Sequence, residues 1–229
     1  WHRLVVEARR RVRAGVLGRV SAITTEFTDP LMLRGTAPPW RRSRASGGGA
    51  LVDKGTHHLD LWRHLLADEV EEVSAYVHDA ESEDRTVLVA GRMAGGALAT
   101  ALVSDATAIE NRVTIHGERG SIEVCCYRVD GFRQLDAEML PGSVTTRLRT
   151  VRDRLTSACA GVTEVTRGGV FKACYDAEWR HLARVARTGE APGCTVEDAR
   201  RTLAVALAAA RSADEGRPVA VAELALEPA

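Results

Sequence analysis

Residues 46–66 read SGGGALVDKGTHHLDLWRHLL. Three glycines lead into a run holding Asp53, Lys54, His57, His58, Asp60 and His64. Leu51, Val52, Leu59, Trp62, Leu65 and Leu66 recur at helical spacing, which predicts a helix from about residue 50 to 66. Helical side chains three, four or seven positions apart share a face. Asp53, His57, Asp60 and His64 are therefore expected along one stripe, carboxylate and imidazole alternating. Lys54 and His58 are expected about 100° away from Asp53 and His57. Three chemistries fit this row. It can be a solvated face whose Asp–His pairs add a few tenths of a kcal/mol each. It can be a chelating face for a metal, although no third ligand of matching spacing is evident. It can be an acid–base pair, in which a carboxylate one turn away fixes the tautomer of an imidazole that both takes and returns a proton near neutral pH. The glycines ahead of the helix allow a ligand or another backbone to come close. The pattern alone leaves all three open.

The surrounding elements must position this row. Residues 2–14 read as a helix with Leu4, Val5, Ala8 and Val12 on one face, closed by Gly15. Residues 19–29 alternate and are rich in β-branched residues, as a strand does. Residues 30–48, with Pro30, Pro38, Pro39 and Gly47 to Gly49, read as a long loop, and long ordered loops are often functional. After the helix the period changes to two. Strands are expected at 70–79, 85–93, 97–106, 111–117 and 121–128, with tight turns at Gly95-Gly96 and at GERG, 117–120. Strands so closely connected pair antiparallel. Residues 130–168 are hard to read and are expected to hold one more strand and a short arginine-rich helix near 146–158. Phe171, Cys174, Tyr175, Trp179, Leu182, Val185 and Ala186 form the apolar stripe of a helix ending at Gly189. Thr195 begins a capping box for a last helix to about 214, and RPVAV at 217–221 reads as a closing strand. The layout is α+β: an open, predominantly antiparallel or mixed sheet with helices packed on one face.

The 229 residues suffice for a substantial core. Lysine plus arginine and aspartate plus glutamate both number 31, so nothing in the composition points to nucleic acid or a membrane surface. The five cysteines form no CxxC pair, which fits free thiols and a cytoplasmic location. No dinucleotide-binding GxGxxG or phosphate-cradling GxxxxGK[ST] is present. The chain opens on Trp1, already inside an amphipathic pattern, and the expectation is that it starts in mid-protein.

GGGALVDKGTHHLDL resembles the signature of the C-terminal domain of the glucose–fructose oxidoreductase/inositol dehydrogenase/rhizopine catabolism (Gfo/Idh/MocA) family, glycines followed by D-x-G-x-H-x-x-D. Gly47, Gly48, Gly49, Asp53, Gly55, His57 and Asp60 meet it. RRVRAGVLGRVSAI, VTIHGERGSIEV and the closing stretch from EWRHLARVARTGEAPG onward also resemble the family, and residues 130–168 do not. The resemblance implies the substrate half of a two-domain NAD(P)-dependent oxidoreductase, acting on a sugar, cyclitol or related alcohol or ketone. NAD or NADP would be bound mainly by an N-terminal Rossmann domain. That domain's fingerprint and the family's catalytic lysine have no counterpart here, so this chain alone is expected to be inactive. His57 would be the general acid/base and Asp53 its orienting partner. Lys54, Asp60, Trp40 and Arg41 would border or hold the substrate. The open sheet face would carry a homo-oligomer. The alternative is a non-catalytic domain, stand-alone or truncated, that only binds sugar or self-associates.

Overall fold

The computed structural model describes residues 1–35, 37–78, 83–140, 142–166 and 168–224. The chain forms two compact units, residues 1–20 with 114–195 and residues 21–113 with 196–229. The fold is α+β, and its sheet is open and mixed.

The second unit carries the motif. Its strands are β1 (Val20–Thr28), β2 (Val70–His78), β3 (Thr86–Met93), β4 (Leu98–Ser104) and β8 (Val219–Ala220), in the hydrogen-bonded order β1-β4-β3-β2-β8. β2, β3 and β4 form an antiparallel meander, and β8 pairs antiparallel with β2. β1 runs parallel to β4, with Thr28 opposite Ser104. Their carboxyl ends therefore finish side by side.

Two helices cover one face of this sheet. The glycine run opens a single π-helical turn, Leu51–Gly55, which becomes α2 (Thr56–Leu66). The expected regular helix thus starts with a widened turn. The Thr56 hydroxyl donates to the Val52 carbonyl at 2.9 Å across this turn. Such π-turns are rare and concentrate at functional sites. α5 (Val196–Glu215) packs on β2 and on α2 through Ala204, Val205, Ala208 and Ala209, small residues that let helix and sheet approach closely. Trp62 is wholly buried, and its Nε1–H donates to Thr25 Oγ1 at 3.1 Å. A side chain at Gly91 of β3 would meet the Trp62 ring at 3.0 Å, so this strand glycine makes room for the indole. The opposite face of the meander is bare. Tyr76, Leu88 and Leu102 stand opposite one another across β2, β3 and β4, and all three are exposed.

The first unit contains α1 (Arg3–Arg13), the hairpin of β6 (Gly120–Cys125) and β7 (Phe132–Asp136), and two long helices, α3 (Val144–Thr166) and α4 (Val170–Thr188). Strand β5 (Glu110–Gly117) runs through the unit boundary. α3 has 23 residues where a short helix was expected. α4 carries its predicted stripe, but none of its residues is buried.

Candidate functional site

The glycines explain the approach to the site. Gly47 and Gly49 have φ of +77° and +80°, a backbone region that side chains with a Cβ rarely enter. A Cβ on Gly48 would fall 2.2 Å from the Trp40 carbonyl and 2.6 Å from Arg41 Cα. The close partner of Gly48 is therefore the 40–41 backbone, and the next glycine bonds that same segment: Gly49 N–H donates to Arg41 O at 2.9 Å. This contact delivers Arg41 to the motif. Its guanidinium pairs with Asp53 at 2.8 Å and lies 5.1 Å from the centre of the Trp40 ring. Trp40 is 44% exposed, so an indole face with a cation beside it borders the motif. Arg44, next on the loop, is locked into ion pairs with the buried Asp84 and with Asp214.

Lys54 points into the protein. It is 5% exposed, and its ammonium sits between two carboxylates, Asp29 at 2.6 Å and the buried Asp105. Asp29 and Asp105 are the first residues after the parallel strands β1 and β4. The Phe27 ring lies beside the same ammonium, 5.7 Å from its centroid. Phe27 also reaches both histidines, with ring centroids 6.2 Å from His57 and 5.2 Å from His58.

The two histidines differ in kind. His57 is exposed and takes no hydrogen bond among the described residues, so both ring nitrogens are free to meet a ligand. His58 is 1% exposed, and its Nδ1 has no hydrogen-bond partner among the described residues. Burial pushes its pKa down to about 4, the neighbouring His57 adds to that, and Asn111 opposes it. His58 is thus a neutral core residue at physiological pH.

The predicted stripe is divided among neighbours. Asp53 serves the loop, His57 faces outward beside Phe27, and Asp60 turns to α5, where Oδ1 accepts from Thr202 Oγ1 at 3.0 Å. Arg63 joins the same contact, bonding Thr202 at 2.9 Å and Glu69 at 2.7 Å. Of the residues expected at the site, Asp53, Lys54, His57, Trp40 and Arg41 lie on the π-turn, α2 or the loop folded onto it, and Asp60 is the one bonded to α5. Asp29, Asp105 and Phe27 are not among the residues expected from the sequence. The available signal was an aspartate directly after each of two strands, in TDP and VSDA.

With this geometry in view, comparison with known proteins identifies the chain. A family model for the GFO/IDH/MocA C-terminal domain matches residues 5–123.

The chain belongs to the GFO/IDH/MocA family.

The rhizopine catabolism protein MocA of Rhizobium meliloti is 36% identical over 72 residues, 30% of this chain and 21% of that protein. Among solved structures, the WlbA dehydrogenase of Bordetella pertussis, in complex with NADH and UDP-GlcNAcA, matches with a TM-score of 0.69 at 23% identity. That match covers 95% of this chain and 61% of the dehydrogenase. The aldose-aldose oxidoreductase of Caulobacter crescentus, complexed with glycerol, matches with a TM-score of 0.64 at 23% identity, over 94% of this chain and 60% of that one. The chain thus spans about three fifths of the length of these solved relatives.

Lys54 and His58 make separable contributions to stability. Lys54→Met leaves Asp29 and the buried Asp105 facing each other, and the expected loss is about 3 kcal/mol. His58 keeps a lower pKa folded than unfolded, so its contribution is fully present above about pH 6.5 and is lost as pH falls toward 4. Removing that titration in His58→Leu should flatten the decline over this window by about 3 kcal/mol. Urea unfolding of the three proteins at pH 7 and pH 4.5 checks both. A Lys54→Met protein as stable as wild type at pH 7, or a His58→Leu protein with the wild-type pH slope, contradicts the assignment.

Proposed function

We propose that this chain is the substrate half of an NAD(P)-dependent oxidoreductase that interconverts an alcohol and a ketone on a sugar, cyclitol or related molecule. The observation that carries the reading is the motif D-x-G-x-H-x-x-D with its histidine exposed and unbonded, beside an aspartate anchored from the glycine loop. Membership of the GFO/IDH/MocA family supports the reaction class.

In this reading the nicotinamide, held by a Rossmann domain outside this chain, supplies the hydride chemistry. His57 takes the hydroxyl proton in oxidation and returns it in reduction, a role that asks for an imidazole open to the ligand. Asp53 sits one turn earlier and holds the local charge with Arg41, so the substrate meets a rim that is already ion-paired. Trp40 offers the ring face on which the apolar side of a sugar stacks. Lys54 and Asp60 act behind this surface. Lys54 fixes the π-turn against the ends of β1 and β4, and Asp60 fixes α2 against α5. The exposed Tyr76, Leu88 and Leu102 row is the face on which a second copy seats.

Steady-state turnover with the nicotinamide followed by absorbance tests the role of His57, in protein that includes the nucleotide-binding half. His57→Ala should lower kcat by about 10²–10⁴-fold with an unchanged unfolding curve. Turnover within a factor of about two of wild type sinks the proposed proton transfer.

A further inference from the structure

The loop segment that carries Trp40 and Arg41 is not held by apolar burial. Its two short 3-10 turns, Pro39–Arg42 and Arg44–Ser46, contain no buried residue. Residues 30–52 include four arginines and no lysine, aspartate or glutamate, so the loop finds its counter-charges on other elements. Arg41 finds one on the motif, Asp53. Arg44 finds two away from the motif, and its guanidinium is used on both sides. Nε and Nη2 meet the two oxygens of Asp84 at 2.7 and 2.6 Å. Nη1 meets both oxygens of Asp214, on α5, at 2.8 and 3.0 Å. Paired bonds of this kind fix orientation as well as distance, which a single ammonium cannot do.

Asp84 is the fixed end of this contact. Its side chain is fully buried, and its φ is +51°, a region that aspartate enters more readily than most residues. A carboxylate so buried is tolerated only with a cation in place. The loop also closes on it through the backbone. Ala50 N–H donates to Asp84 O at 3.0 Å, and Glu83 N–H donates to Arg42 O at 3.1 Å. Arg44 N–H donates to a Glu83 carboxylate oxygen at 2.6 Å. A Cβ on Gly49 would fall 2.9 Å from Asp84 Oδ2, so the last glycine of the run admits this carboxylate, as Gly48 admits the 40–41 backbone.

We propose that Arg44 is a positioning residue for substrate binding: by clamping the loop to Asp84 and Asp214 it holds Trp40 and Arg41 at the rim of the motif without touching substrate itself. This role rests on the reading of the motif as a substrate site given above. The Arg41–Asp53 pair borders the surface on which substrate lands, whereas Asp84 is closed to solvent. Arg44 therefore keeps the loop in place when a ligand engages Arg41. Its effect falls on binding. A rim that is assembled only part of the time raises KM by the inverse of that fraction and leaves kcat alone.

Hydrogen exchange on this chain, with steady-state kinetics on protein that includes the nucleotide-binding half, tests the role. In Arg44→Lys the amides of residues 43–50 should exchange about tenfold faster while those of α2 keep wild-type rates. KM should rise about tenfold with kcat within a factor of about two. The kinetics use a panel of D-glucose, D-glucuronate and myo-inositol with NAD or NADP. Asp214→Ala removes an exposed carboxylate and nothing buried, so it tests the clamp even where Arg44→Lys fails to fold; its KM should rise about threefold. Unchanged exchange in the loop, faster exchange without a rise in KM, or a fall in kcat in place of that rise overturns the proposal. A wild type that turns over no compound of the panel overturns the reaction class, and the role of Arg44 falls with it. An active wild type matched by both variants overturns the role of Arg44 alone.

Discussion

The motif depends on one buried cation. Lys54 holds two carboxylates that would otherwise repel, one from the end of β1 and one from the end of β4. Because β1 and β4 are parallel and in register, Asp29 and Asp105 arrive together only if the sheet is correctly ordered. The ammonium therefore ties the start of the motif helix to a feature of the whole sheet. A charge taken out of water is tolerated only with partners in place, so the link is specific as well as strong. Everything downstream on α2 inherits its position: His57 comes three residues later, Trp62 enters the core two turns later, and Asp60 and Arg63 meet α5.

The glycine loop adds the second constraint. With Lys54 pulled inward, Asp53 lies beside a loop that can approach only because Gly48 has no side chain. Arg41 and Trp40 are thereby placed on the rim, and Asp53 is neutralised from outside while Lys54 is neutralised from inside. The π-turn is the backbone form that lets neighbouring residues 53 and 54 serve these two directions before the chain settles into α-helix. His57 is left exposed and unbonded in a setting where nearly every other charged group of the motif is paired.

Much of this was legible in the sequence. Strands β1 to β6 and helices α1, α2, α4 and α5 lie where periodicity and turn residues put them, since alternation and glycine breaks report burial directly. The motif residues were legible because their types and spacing are unusual. Their division of labour was not. Helical spacing placed Asp53, His57 and Asp60 on one stripe, but each answers to a different neighbour, and neighbours from loops, strand ends and α5 are set by tertiary structure. α3 was underestimated because its sequence is rich in valine and threonine, which disfavour helix, and because its apolar residues face outward. The rule that links apolar periodicity to a core has no purchase on a helix whose apolar side is not in the core.

The central claim is that the Asp53–His57 helix is the proton-transfer element of a nicotinamide enzyme's substrate half. Calorimetric titration of NADH and NADPH into this chain, and into a longer protein that joins it to the nucleotide-binding half proposed for it, tests it most directly. The account predicts that the longer protein binds one of the two cofactors and that this chain alone binds neither. Absence of binding in the longer protein would contradict the claim and leave the motif helix to a different chemistry.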